Sequence, residues 1–156
     1  MSSIDTPHIA DSPEMQLALI HLTVPRSEIM TAMGPAFGEL ESVLRAQGIA
    51  PTGPWFAHHH RRPTDTFDFD ICSPVAKPIQ TTGRVTNGTL RATKVVRTIH
   101  HGRYEGLATA WGEFVAWIAD NNHKTAEDLW EVYLTGPFNN PNPATWETEL
   151  NAPIVP

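Results

Sequence analysis

Apolar residues recur at helical spacing in two places along the chain. Within residues 27–47, Ile29, Met33, Phe37, Leu40 and Leu44 form one stripe at intervals of three and four residues. Gly48 follows as a stop signal. A second stripe runs through Tyr104, Leu107, Trp111, Phe114 with Val115, and Ile118, after Gly102 and before Asn121-Asn122. Around these two predicted helices the pattern changes to short runs of large, aromatic and β-branched residues, at 15–24, 55–61, 66–75, 90–100, 129–134 and 145–153. Turn-forming residues separate the paired runs, at 62–65 in one case and 136–141 in the other.

The two halves are copies of one unit. Phe37-Gly38-Glu39-Leu40 and Trp111-Gly112-Glu113-Phe114 lie 74 positions apart, from 37 to 111. The same offset pairs Met30 with Tyr104, Met33 with Leu107, Ala36 with Ala110, Val43 with Trp117 and Leu44 with Ile118. It grows to 75 between Trp55 and Trp130 and to 79 between Pro74 and Pro153, as loops accept insertions more readily than elements do. Each copy reads strand, helix, strand, strand, at about 15–82 and 89–154, with 83–88 as the link. The expected fold is α+β: duplicated β-α-β-β units in a pseudo-twofold arrangement, a mainly antiparallel sheet with helices on one face, and a ligand cleft between the units. Residues 15–156 are read as one domain and residues 1–14, rich in Ser, Asp and Pro, as a flexible tail.

Composition narrows the function. A chain of 156 residues with 40% hydrophobic content can close one core, or two small ones. The formal net charge of -6 argues against direct nucleic-acid binding, which needs clustered Lys and Arg. One cysteine forms no internal disulfide, the N-terminus lacks the basic start and apolar core of a signal peptide, and no apolar run spans a bilayer. A cytoplasmic protein without membrane contact is expected.

The candidate chemistry centres on Leu129-Trp130-Glu131-Val132-Tyr133-Leu134, a strand with a carboxylate in its middle. Side chains alternate across a strand, so Glu131 and Tyr133 share one face and Trp130, Val132 and Leu134 the other. The second set is uniformly apolar and is expected to pack on the helices, which leaves Glu131 and Tyr133 to face the cleft. A carboxylate among aromatic walls could serve as counterion to a bound organic cation. It could equally act as general acid or base, or be exposed, or be satisfied by a backbone donor. If Trp55 matches Trp130, then Phe56 and His58 match Glu131 and Tyr133 and form the opposite wall. Trp146 and Tyr104 are further candidate ligand contacts, each weighed against a plain role in the core.

The duplicated unit, the run His100-His101-Gly102-Arg103-Tyr104-Glu105-Gly106-Leu107, the strand 130–134 and the ending 146–154 together resemble the GyrI-like effector-binding domains. The likeness covers about residues 15–154, with Arg103 standing where many members have proline. It implies a small-molecule-binding fold that serves bacterial transcription regulators and also occurs as a stand-alone protein. It further implies a glutamate in a Glu-x-Tyr strand that receives cationic, lipophilic molecules among aromatic rings. That match is Glu131 with Tyr133. Because only residues 1–14 precede the first unit, no DNA-binding segment is expected and the chain is read as a stand-alone member. The leading expectation is a sensor, sink or resistance factor for cationic or multi-ring aromatic compounds. Two alternatives follow from the same likeness. One is a hydrolase opening strained cyclopropane rings of alkylating natural products, with Glu131 and Tyr133 catalytic. The other is an acidic protein-interaction module related to gyrase inhibitors, with a protein partner.

Other signals carry less. His58-His59-His60 and His100-His101 invite a metal, but on a strand only His58 and His60 project together, and no close carboxylate in the sequence completes a tetrahedral set. No metal or cofactor is expected. Asp68 and Asp70 are read as the wet face of a half-buried strand, and Cys72 as unreactive.

Overall fold

The computed structural model describes residues 3–155, apart from the side chain of Met30. Residues 1, 2 and 156, the outermost positions of the expected tail and domain, lie outside the described residues. The chain divides into two units, one of residues 13–92 and one combining the N-terminal residues to Ser12 with residues 93–155.

In the unit of residues 13–92, β2 (Met15–Pro25) leads through a short 3-10 turn into α1 (Ile29–Ala46), followed by β3 (Phe56–His59), β4 (Thr66–Pro74) and β5 (Thr86–Leu90). The strands are antiparallel in the order β3-β4-β2-β5. The helix ends where Gly48 takes a φ of 68°, a left-handed conformation that glycine adopts without penalty, and Ile49 N–H then returns to the Leu44 carbonyl at 2.9 Å. Ala36, Leu40 and Leu44 are buried on α1, which packs on β2 and β4.

The other unit repeats this plan. β6 (Thr93–His101) is followed by a 3-10 turn at Tyr104–Gly106, α2 (Leu107–Asp120), β7 (Leu129–Thr135) and β8 (Glu147–Pro153). Its antiparallel order is β7-β8-β6-β1, where β1 (His8–Ser12) is the edge strand. Asn122, with φ of 61°, does for α2 what Gly48 does for α1. Ala110, Phe114 and Ile118 of α2 form a core with Val96, Leu150 and Ala152 of the sheet.

Two edge strands correct the sequence reading. The expected mobile tail is paired with β6 from His8 to Ser12, and the Thr98 hydroxyl donates to the Asp5 carbonyl at 2.7 Å. Its polarity reflects an edge position rather than disorder, because an edge strand keeps much of its surface in water. The expected link at 83–88 overlaps β5, paired with β2 from Leu90 to Thr86. Gly88 closes the expected link. It is instead a point of close approach, since a Cβ there would collide with the Leu19 side chain.

Phe114 is fully buried at the centre of the α2 core. Phe114→Ala should therefore destabilise the protein by about 3–5 kcal/mol, measured by urea unfolding.

Candidate functional site

Strand register decides which residues share a face with α2. Leu150 is directly opposite both Glu131 and Thr98, and Thr148 is opposite both Tyr133 and His100. Directly opposed side chains point to the same side of an antiparallel sheet. Leu150 belongs to the α2 core, so Glu131 and Tyr133 lie on the helix face. This reverses the expectation that Trp130, Val132 and Leu134 pack on the helices. The pattern misled because both faces of β7 are sheltered: Trp130, on the far face with Asn151 and Arg97, is only 1% exposed.

What lets a carboxylate sit under a helix is a pair of neutral donors. The Trp111 indole N–H, projecting from α2, donates to Glu131 Oε1 at 2.6 Å, and the Tyr133 hydroxyl donates to Oε2 at 3.0 Å. Glu131 is 9% exposed and Tyr133 is 7% exposed. Among the described residues no Lys, Arg or His forms an ion pair with this carboxylate. Each oxygen thus has a hydrogen bond, while among the described residues no cationic side chain pairs with the charge.

Aromatic rings continue outward from this pair. Tyr104, in the turn that opens α2, meets Tyr133 edge-on at 5.9 Å between centroids and lies 5.0 Å from Trp146. Trp146 is fixed by its indole N–H on the Asn140 carbonyl at 2.8 Å, and its own carbonyl accepts from Gly102 N–H at 2.9 Å. Gly102 reaches that position with φ of 119°, open to glycine alone among common residues. A Cβ at Gly136 would collide with the Tyr104 hydroxyl, so the loop after β7 also sets where Tyr104 rests. Burial, followed by the nearby Glu131 charge, pushes the Tyr104 phenol up to about 12. The same causes, with the hydrogen bond to Glu131, hold Tyr133 well above its ordinary range. Both phenols therefore stay neutral at physiological pH, and Tyr133 remains a donor.

The predicted site residues separate into two groups. Glu131, Tyr133, Tyr104 and Trp146 come together in one unit, and Trp111, which the pattern assigned to the helical stripe, completes the carboxylate's shell. Phe56 and His58 belong to the other unit. There the register contradicts their assignment. Phe56 is opposite Cys72 as Trp130 is opposite Asn151, and the offset of 79 between Pro74 and Pro153 makes Cys72 and Asn151 equivalent. Phe56 therefore corresponds to Trp130, and Ala57 and His59 correspond to Glu131 and Tyr133. The sequence comparison was displaced by one residue because Trp55 and Trp130 looked alike. Phe37 stands where Trp111 does and packs on Trp55, with ring centroids 4.6 Å apart. The exchange of Phe37 for a residue with an N–H, visible in the repeat, is the signal that singles out Trp111. Within the repeat, Phe37, Ala57 and His59 replace the Trp, Glu and Tyr, so the carboxylate arrangement occurs once.

The histidine pair also resolves. His100 is buried, with Nδ1 2.9 Å from the Ser3 hydroxyl and Nε2 3.0 Å from the Arg103 carbonyl, which fits a structural role. Cys72 is buried, and its burial and then the Asp70 charge push its thiol well up, in keeping with an unreactive cysteine.

A family model of the GyrI-like small molecule binding domain matches residues 5–155. The chain belongs to the GyrI-like family. No curated protein matches the sequence significantly. Among solved structures, this GyrI-like chain is similar to the C-terminal domain of EcmrR, with 24% identity, a TM-score of 0.85, and coverage of 96% of this chain and 97% of that one. It is likewise similar to EcmrR in a complex with DNA, at 23% identity and a TM-score of 0.85 over 97% of this chain; it spans only 57% of that protein. SAV2435 bound to tetraphenylphosphonium is a more distant likeness, at 12% identity and a TM-score of 0.71, covering 97% of this chain and 94% of that one. These likenesses establish the α+β fold. No described helix of the GyrI-like domain is long and apolar enough to cross a membrane.

Tyr104 and Tyr133 are the chain's two tyrosines, so tyrosinate absorbance reports on this site alone. In the folded protein little tyrosinate should form near pH 10, the ordinary midpoint for tyrosine. Because the folded value is raised, the stabilisation it brings is fully present below pH 10 and is lost as pH climbs toward about 12. Glu131→Gln should move the tyrosinate titration to lower pH.

Proposed function

We propose that the protein binds lipophilic aromatic cations and that Glu131 is the ligand's counterion. The observation that carries this reading is a nearly buried carboxylate held by two neutral donors and bordered by aromatic rings. A carboxylate removed from water and left without a cationic partner is electrostatically incomplete, and a bound cation would complete it. Ring faces of Trp111, Tyr104 and Trp146 turned to the same guest would add cation–π attraction to apolar burial. Tyr133 and Trp111 would hold Glu131 in place before the ligand arrives, so that less side-chain order is lost on binding. The fold relative SAV2435 has been solved with tetraphenylphosphonium, a cation of this class. This supports the choice of ligand chemistry.

Access would come through Tyr104 and Trp146, since both are only partly buried whereas Glu131 and Tyr133 are nearly closed off. A bulky guest would displace one of these two rings to reach the carboxylate.

The test is a tryptophan-fluorescence titration of wild type and Glu131→Gln with tetraphenylphosphonium and with a neutral tetraaryl analogue of similar size. Wild type should prefer the cation by about tenfold, equivalent to about 1.4 kcal/mol, and Glu131→Gln should lose that preference while still binding the neutral compound. Equal affinity of both proteins for both compounds would refute the counterion role. A hydrolase using the same carboxylate predicts a different outcome, in which the substitution abolishes turnover and leaves affinity nearly unchanged. An interaction module predicts little effect of Glu131.

A further inference from the structure

Away from the aromatic site, in the unit of residues 13–92, the sheet face opposite α1 carries a lattice of histidines and aspartates. His58 and His21 are both directly opposite Asp70, and Thr23 is directly opposite Asp68 in the adjoining row. His60 N–H donates to the Asp68 carbonyl at 3.1 Å, which brings His60 beside that second row. Asp70 Oδ1 lies 2.8 Å from His21 Nδ1 and Oδ2 lies 3.0 Å from His60 Nε2. The other nitrogen of His21 lies 3.1 Å from Asp68 Oδ1 and 3.2 Å from the Thr23 hydroxyl.

We infer that His21, His60 and Asp70 form a binding site for a late first-row transition-metal ion such as zinc(II). One ligand atom from each residue can be chosen so that all lie within 4.8 Å of one another. Metal–nitrogen and metal–oxygen bonds of about 2.0–2.2 Å place tetrahedral ligands roughly 3.3–3.6 Å apart, so small side-chain rotations close the site. Two imidazoles and one carboxylate suit zinc and its neighbours, whereas calcium and magnesium call for more oxygen ligands. His21 would bind through Nδ1 and donate its Nε2 proton to Asp68, the outer carboxylate that commonly orients a metal-bound histidine. The fourth position falls to water or to His58, whose ring centroid is 5.0 Å from that of His60. The side chains of His21 and His60 are 52% and 40% exposed, so an ion can reach them, while Asp70 at 11% is a fixed anchor.

The fold does not require imidazoles at positions 21 and 58. By the same register equivalence, the positions of His58 and His21 are occupied in the other unit by Val132 and Ile99, both opposite Glu149 as His58 and His21 are opposite Asp70. A sheet that accepts apolar side chains at these positions in one copy has no structural need for imidazoles in the other. The sequence offered no carboxylate close to His58 and His60; the hairpin of β3 with β4 supplies it, and the long-range pairing of β4 with β2 adds His21.

The experiment is a calorimetric titration of the full chain, free of any affinity tag, with zinc(II). One saturable site is expected. His21→Gln and His60→Gln should each weaken it at least about tenfold, the double substitution should remove it, and Asp68→Asn should weaken it about tenfold as an outer partner. His101→Gln, which alters a histidine beside Asp5 and Glu147 instead, should change nothing. Zinc should also raise the melting temperature of wild type and not of the double variant. Independently of any variant, histidine NMR resonances of wild type should shift on zinc addition for His21 and His60 and stay fixed for His123. Absence of saturable binding, binding that survives the double substitution, or zinc-induced shifts confined to other histidines would overturn the assignment.

Discussion

The hydrogen bonds from Trp111 and Tyr133 to Glu131 are the interaction on which the aromatic site depends. A glutamate facing a helix would ordinarily be a defect, because a desolvated charge without partners costs several kcal/mol. Here one donor comes from the helix and the other from the same strand two residues on, so both oxygens are satisfied without a cation. Hydrogen bonds to a charged group contribute about 1.5–3 kcal/mol each, enough to retain the carboxylate but not to cancel its charge. The remaining imbalance is what the proposed cation would complete.

Duplication explains how the rest of the domain can tolerate such a residue. The strand, helix, strand, strand unit closes its core twice, once with Phe37, Ala57 and His59 and once with Trp111, Glu131 and Tyr133 at the equivalent places. The first set shows that the architecture stands without the carboxylate. The second shows the same positions carrying polar chemistry, while Phe114, Leu150 and their neighbours keep the apolar core beneath α2. The two copies have diverged on their other faces as well, where one carries His21, His58 and Asp70 and the other Ile99, Val132 and Glu149 at the equivalent places.

Much of this was legible in the chain. Both helices, their stop signals at Gly48 and Asn122, and six of the strands follow from periodicity and turn chemistry, because each element's burial leaves its imprint on local spacing. The edge strands did not, since β1 and β5 carry polar residues and Gly88 serves close packing against Leu19 rather than a turn. Glu131 and Tyr133 stood out as a carboxylate and a phenol in an apolar strand. Which way they faced was hidden, because Trp130 and Glu131 are both sheltered and alternation cannot rank two buried faces. Phe56 and His58 were misplaced by a single residue, and in a strand one residue exchanges the faces. Asp70's proximity to His21 and His60 was invisible for a different reason: it arises from pairing between strands far apart in sequence.

A crystal structure of the protein with tetraphenylphosphonium bound tests the counterion role of Glu131 most directly. The cation's aryl groups should lie against Tyr104 and Trp146, with the Glu131 carboxylate as the nearest negative charge and Trp111 and Tyr133 still donating to it. A cation bound elsewhere, with Glu131 and its two donors unaltered and no aryl group near them, would contradict it.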